Sequence, residues 1–492
     1  MRQIRFHYHL YQQTAGLKCL QTNHYCIIMG IIKTKELNKL GYTDNVARSL
    51  AIELTSKHCK HYTLEETKDI LRDIREHPEN YKNGKTWGKL AEVISPSMSS
   101  VSSFELRKEP MPYCIYDKDF IDELPRKQME MAMRLPVTVA GALMPDGCAG
   151  YGLPIGGVLA TEGVVVPYAV GLDIACRMSL TILDAGKDYL ERHHERAVEA
   201  LVNSTAFGMD GILPIKQYHP LFDRKEFREI TVLRKLRDKA IRQFGSSGKG
   251  NHFANICEVE LPKDNVFRLP EGVYIGILSH SGSRGLGAAI AEHYTSIAKK
   301  TCRLPRQAGP FAWLGLKSEA GQEYWKCMEI AGEYSAANHE CIHENVARAL
   351  RLKPLACVSN HHNYAWKETL PDGRNVIVHR KGATPAHLGE FGIIPGSMAT
   401  PGYIVSGKGC VNSIFSASHG AGRVMSRQDA RNTFSRYAMK KLLAERGVTL
   451  IGGSTEEAPL AYKDIDKVME SQKELVNIEG RIIPLIVRMS EE

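Results

Sequence analysis

Apolar residues recur at helical spacing within residues 33–94, where Leu64, Ile70, Leu71 and Ile74 mark one face of a helix. Thr63 and Glu66 have the spacing of a capping box at its start, and Pro78 closes the element. The periodicity is lost over residues 95–112 (SPSMSSVSSFELRKEPMP), a serine- and proline-rich stretch in which a linker or arm is expected. Beyond it, short β-rich runs (VTVAGAL, GVVVPYAV, VYIGILSH, NVIVHR and GYIVSG) alternate with helical patterns over residues 319–352 and 427–447. That alternation predicts an α+β or α/β fold with a layered β-sheet core and surrounding helices, preceded by a small helical N-terminal domain.

The expected domain order is residues 1–28 as a loose arm or non-native start, 29–94 helical, 95–112 linking, and 113–492 catalytic. Met29 is an alternative initiator, because helix-like sequence begins just after it. The first residues hold no continuous apolar core followed by a small-residue cleavage site, so no signal peptide is expected. The longest apolar stretch, residues 153–172, is broken by Glu162, two prolines and several glycines. A spanning helix needs about twenty apolar residues with few breaks, so buried strands and turns are expected there, with no membrane association.

A chain of 492 residues exceeds one ordinary small core. Its net charge of +9 permits polyanion binding without demanding it. The twelve cysteines are scattered and none forms a C-x-x-C pair, which fits free thiols in a reducing, cytoplasmic setting.

Five polar clusters sit in turns directly after apolar runs: GLDIAC (171–176), GNHF (250–253), HSGSRGLG (280–287), NHHNY (360–364) and SASHGAGR (416–423). Singly, each has an ordinary structural reading, such as a hydrogen-bonded histidine or a buried thiol. Jointly they supply one carboxylate, one thiol and several imidazoles, the donor set of a transition-metal centre. By spacing alone cysteine and histidine favour zinc, and manganese does not follow. The glycines of HSGSRGLG and SHGAGRVMSR allow backbone N–H groups to approach an anion, with Arg284 and Arg423 as further phosphate donors.

The series GLDIAC, GNHF, HSGSRGLG, HHNYA, HRKGAT, PGSM and SHGAGRVMSR resembles the RtcB family of RNA-splicing and RNA-repair ligases, as do MPDGCAGYGLPIGGVLATE and EAPLAYKDIDKVME. The resemblance runs in consistent order from residue 112 to the C-terminus. It implies a ligase that joins RNA 3′-phosphate or 2′,3′-cyclic phosphate ends to 5′-hydroxyl ends, as in tRNA splicing or RNA repair. A covalent histidine–GMP intermediate formed from GTP carries the reaction. By position, His419 is then the nucleophile. Asp173, Cys176, His252, His280 and His362 would hold two Mn2+ ions, with Cys176 shared. Asn251 and Arg423 would lie near the phosphates, and Ser397, Tyr462 and Arg488 near the base. An archease-like activator assists some members of the family.

Four positions depart from the family pattern: Asn255 for glutamate, Gly402 for serine, Arg488 for lysine and Arg177 for glycine. Most of these gather around the base, which puts nucleotide choice in question ahead of phosphoryl chemistry. The basic stretch 223–243 reads equally as an RNA-tracking surface or a solvated helix face. Two rival readings are a metal-dependent RNA-end phosphoesterase that does not ligate, and a non-catalytic RNA-binding descendant.

Overall fold

The computed structural model describes residues 32–42, 44–94 and 102–491, so the readings of residues 1–28 and 95–101 lie outside the described residues. The chain divides between residues 100 and 101 into two compact units. In the first, helices α1 (Thr34–Lys39), α2 (Asn45–His58), α3 (Leu64–Glu76) and α4 (Gly88–Ile94) enclose Leu37, Ala51, Leu71, Ile74 and Leu90. Asp44 caps α2 by accepting from the N–H groups of Val46 and Ala47. Thr63 and Glu66 close the expected capping box, with Thr63 N–H donating to Glu66 at 2.7 Å. Tyr42 donates to the Leu71 carbonyl at 2.7 Å, tying the start of the unit to α3.

The second unit is built on two sheets. The larger has the order β7-β4-β6-β5-β13-β11-β10, from strands β4 (Arg177–Gly186), β5 (Phe253–Leu261), β6 (Gly272–Ser281), β7 (Pro354–His361), β10 (Phe391–Ile394), β11 (Gly402–Gly407) and β13 (Val476–Met489). These neighbours are antiparallel, and β12 (Thr449–Ile451) adds a parallel pairing to β13. The smaller has the order β8-β9-β3-β2-β1, from β1 (Cys114–Ile115), β2 (Thr138–Cys148), β3 (Ile155–Thr161), β8 (Asn363–Thr369) and β9 (Asn375–Lys381).

Both faces of the central strand β6 are covered, which explains its nearly continuous apolar run. On one face Ile256, Ile277 and Ile486 pack with Leu201 and Val346 from the helices Asp188–Ser204 and Glu319–Leu350. On the other, Met178, Leu180, Leu278 and Ile482 face Ile393 and Ile404. Strands β7 and β8 belong to different sheets and are separated by the single residue His362.

Three local expectations change. Residues 102–112 pack into the second unit: Ser102 and Ser103 pair with Cys302 and Arg303, and Phe104 lies 4.6 Å from the Trp313 ring. Serine richness hid the anchors Phe104, Leu106 and Met111, which all pack on the core. GVVVPYAV becomes a two-residue strand followed by one helical turn, Pro167–Val170, because Pro167 opens a helix readily but cannot donate to a ladder. Residues 427–447 form two helices, Arg427–Thr433 and Arg436–Glu445, because Ser435 caps the second by accepting from Ala438.

Arg380 is fully buried on β9 and paired with Glu368 of β8 at 2.5 Å. It also donates to Ser416 Oγ at 2.7 Å and the Ile414 carbonyl at 3.1 Å, fixing the strand that leads to His419. Burial opposes the charge of Glu368, but His387 and Arg380 outweigh it and hold its carboxyl below the usual range. Removing the carboxylate strands a buried guanidinium. Glu368→Ala is therefore expected to cost about 3–5 kcal/mol in denaturant unfolding. The wild-type contribution is full above the unfolded glutamate value of about 4.3 and fades as pH falls through the lowered folded value. A loss below about 1 kcal/mol at neutral pH would contradict this role.

Candidate functional site

The antiparallel pairing of the large sheet brings several chain segments to one end. Cys176 immediately precedes β4, His252 precedes β5, His280 is the penultimate residue of β6, and His362 follows β7. Register aligns His280 with Met178 on one side and Phe253 on the other, so the donors sit side by side. Two backbone bonds stitch the turn 173–176 to the sheet crossing: Ala175 N–H donates to the Asn363 carbonyl at 2.7 Å, and His362 N–H to the Cys176 carbonyl at 3.1 Å.

The side chains converge closely. Cys176 Sγ lies 3.1 Å from His280 Nε2 and 3.4 Å from His252 Nε2. Asp173 Oδ2 is 2.9 Å from His252 Nε2, and His280 Nε2 is 3.1 Å from His362 Nε2. The ligand atoms of Cys176, His252 and His280 all lie within 4.8 Å of one another. Such separations suit donors held at about 2.0–2.3 Å from a shared ion. His280 Nδ1 lies 3.0 Å from the Asn251 carbonyl, which takes its proton and leaves the Nε2 lone pair facing inward.

Burial, with the charge of His252 next, pushes His280 down to about 3. Burial and then His280 drive His362 well below its usual value. Both imidazoles are therefore neutral and able to ligate at physiological pH. Burial, followed by the Asp173 charge, raises the Cys176 thiol well above its usual value, which a divalent cation reverses. Burial also works against Asp173, but His252 and the Cys176 thiol outweigh it and keep the carboxyl ionised below the usual range. The donor set fits a transition-metal centre. Cys176 stands between an Asp173–His252 pair and a His280–His362 pair.

His419 continues the array, its ring centroid 5.0 Å from that of His362. Its Nδ1 lies 2.6 Å from Asp146 Oδ2, and its backbone N–H donates to the same oxygen at 3.1 Å. The fully buried Asp146 therefore takes the Nδ1 proton and leaves the Nε2 lone pair free. Lys463 holds this acid in place by donating to the carbonyls of Pro145 and Gly147 at 2.9 and 3.0 Å. Gly422, at φ 74, lies so close to the Asp146 backbone that any side chain would collide with it. Asp146 and Lys463 were not singled out from sequence, although both lie in segments that carried the resemblance (MPDGC and AYKD).

These groups open onto one cavity of about 830 Å³, lined by His280, His362 and His419 together with Asn251, Ser397, Arg423 and Tyr462. Arg423 and Arg427 both pair with the buried Glu457 at 3.2 Å, and Tyr462 donates to the same carboxylate. Lys381, whose ammonium burial lowers to about 8, faces the cavity and donates to the Tyr151 carbonyl.

Residues 128–490 match the family model described as tRNA-splicing ligase RtcB. The chain belongs to the RtcB family. It is 33% identical over 367 residues to the RNA-splicing ligase RtcB of Escherichia coli K12, covering 68% of this chain and 86% of that protein. Over 421 residues it is 34% identical to the Mycobacterium bovis RNA-splicing ligase RtcB, covering 70% and 96%. The tRNA-splicing ligase RtcB of Thermococcus kodakarensis is 29% identical over 416 residues, covering 70% and 86%.

Two RtcB motif residues are not where sequence placed them. Arg488 is excluded from the cavity: β13 alternates, so Val487 and Met489 line it while Arg488 points to the opposite face. There Arg488 donates to the Leu201 and Val202 carbonyls at the end of the helix Asp188–Ser204 and lies over Phe207. Arg284 is bound to Ser246 Oγ at 3.3 Å and the Gly208 carbonyl at 2.7 Å, so it bolts a neighbouring turn and does not line the cavity. In the same motif Gly282 makes room for Asp173, since a side chain there would overlap its carboxylate. Arg177 donates to Ser359 Oγ at 2.7 Å and bonds His361, keeping His361 apart from the donor array.

Metal-stripped protein titrated separately with Zn2+ and Mn2+ should take up two ions in a calorimeter. Cys176→Ala is expected to weaken both, and His362→Ala chiefly one. Two undisturbed sites in Cys176→Ala would rule out a shared thiolate.

Proposed function

We propose that this RtcB family member is an RNA ligase that joins 3′-phosphate or 2′,3′-cyclic phosphate ends to 5′-hydroxyl ends through a nucleotide carried on His419. The carrying observation is the Asp146-held His419, its Nε2 free, on the wall of the cavity that His280 and His362 of the donor array also line. The names of the relatives, RNA-splicing and tRNA-splicing ligases, support the same reading.

The Nε2 lone pair of His419 attacks the α-phosphorus of a nucleoside triphosphate, and the bond to the β-phosphate oxygen breaks, releasing pyrophosphate. An oxygen of the RNA 3′-phosphate then takes the nucleotide, and the electrons of the P–N bond return to His419. The RNA 5′-hydroxyl attacks the activated 3′-phosphorus, loses its proton and expels the nucleoside monophosphate. A 2′,3′-cyclic end is first opened by water. Bound Mn2+, which the family resemblance implies, would supply charge neutralisation at phosphorus. Asp146 orients the nucleophile, and Arg423, Arg427 and Lys381 line the cavity as phosphate partners.

The family resemblance names GTP as donor, yet every step above concerns phosphate, so base choice is decided elsewhere in the cavity. On the helix Thr231–Gln243, Arg234, Lys235, Lys239 and Arg242 are exposed, a surface suited to tracking an RNA backbone. The described cysteines are free thiols, in keeping with action in a reducing cytoplasm. An archease-like activator remains the expected helper. Among the described residues no helix is long and apolar enough to cross a membrane.

With Mn2+ and a mixture of α-labelled nucleoside triphosphates, the protein should acquire acid-labile label that His419→Ala abolishes along with sealing. Asp146→Asn should retain metal binding while losing labelling rate by about 10²–10⁴-fold, since the imidazole loses its tautomer control. End processing without sealing or label would instead identify a phosphoesterase.

A further inference from the structure

The inner end of the cavity is the exposed part of one sheet face. Two lateral rows of side chains form it: Met178, His280, Phe253 and Met489, then Leu278, Asn255 and Val487. In these rows His280 and Asn255 are the only polar side chains, and His280 belongs to the donor array. Asn255 lies about 7 Å along the strand from the His280 row. It is 4% exposed, it lines the cavity, and its Oδ1 is buried without any hydrogen-bond partner. A buried carboxamide left unpaired in a hydrocarbon setting is costly unless a ligand completes it.

The surroundings offer little other polar readout. The Ser397 and Thr400 hydroxyls bond each other at 2.9 Å, and Ser397 N–H donates to Thr400 Oγ1 at 2.7 Å. Gly402 cannot be replaced by a hydroxyl-bearing residue without displacement, because a Cβ there would stand 3.0 Å from Pro395 Cα. Of the cavity carboxylates, Glu457 is engaged by Arg423, Arg427 and Tyr462, and Asp122 lies in the field of Lys463. No free carboxylate stands beside Asn255.

We propose that this subsite takes adenine, making ATP the preferred nucleotide and Asn255 the residue that selects it. The inference rests on the nucleotidyl-transfer reading above and deepens it. A carboxamide offers one acceptor beside one donor, which matches the adenine N6 amino group beside N1 or N7. Guanine pairs its O6 and N1–H with the same group but leaves its N2 amino group unpaired against Phe253, Leu278, Val487 and Met489. Turned to its N7–O6 edge, guanine presents two acceptors and leaves Asn255 Oδ1 unpaired. Pyrimidines match the carboxamide but cover less of this apolar surface.

Binding is measured on Mn2+-loaded His419→Ala protein, which holds nucleotide without reacting, by calorimetry with ATP, GTP, CTP and UTP. ATP should bind tightest, by about tenfold or more over GTP, the scale of one unpaired buried polar group. Asn255→Glu, with acceptors only, should reverse that order towards guanine. Labelling of wild-type His419 from each α-labelled nucleotide should follow the same ranking. Tighter binding of GTP to the unaltered subsite overturns the proposal, and that comparison stands even if Asn255→Glu fails to fold. A folded Asn255→Glu variant with unchanged preference overturns it as well. Adenine-selective binding without any label on His419 would keep this assignment and remove nucleotidyl transfer. Label from GTP in preference to ATP would do the reverse, and absence of binding by all four nucleotides would remove both.

Discussion

A thiol, a carboxylate and three imidazoles crowd one another's polar atoms at one end of the large sheet. His280 Nε2 lies 3.1 Å from both His362 Nε2 and Cys176 Sγ. Burial keeps His280 and His362 neutral and the Cys176 thiol protonated, so the array is short of positive charge at its centre. A divalent cation resolves all of these conflicts together. Much of the second unit's architecture follows from holding five side chains at that unfavourable density before the ion arrives.

The crossing at His362 meets this constraint most directly. One residue separates the edge strand of the large sheet from the edge strand of the small one. The metal-donor end of the first sheet is thereby brought against the second, on which Arg380 anchors the segment leading to His419. His419 and the donor array thus come from separate layers, and their relative position depends on the buried Arg380–Glu368 pair and on the Lys463 clamp around Asp146. The end of the cavity that carries Arg423, Arg427 and Tyr462 is polar, whereas its inner end is apolar apart from His280 and the Asn255 amide. On the proposed function, these two ends would separate phosphoryl chemistry from base selection.

Motif chemistry was the most legible layer. The turns after apolar runs offered only a joint donor set; the family resemblance singled out His419 and the five donor residues, and the structure places them side by side. The helices of the first unit were legible from period and caps. Asp146 was not, because an acid within MPDGC carries no local sign that it will meet an imidazole 273 positions away. Arg488 misled for a related reason. A one-residue shift of register exchanges the two faces of a strand, so a motif match near the C-terminus did not settle which neighbour lines the cavity.

Sequence by itself determined the inventory: which chemical groups exist, which turns present them, and which alternating and helical runs would form layers. Those properties are local, set by side-chain type and by period along the chain. Tertiary structure alone decided which groups share a volume, which side of β13 faces the cavity, and which polar atoms remain unpaired once buried. Antiparallel register and the crossing at His362 join residues far apart in the chain, and desolvation acts only after that joining. The unpaired oxygen of Asn255 shows the division: its amide is written in the sequence, while its lack of a partner exists only in the folded sheet.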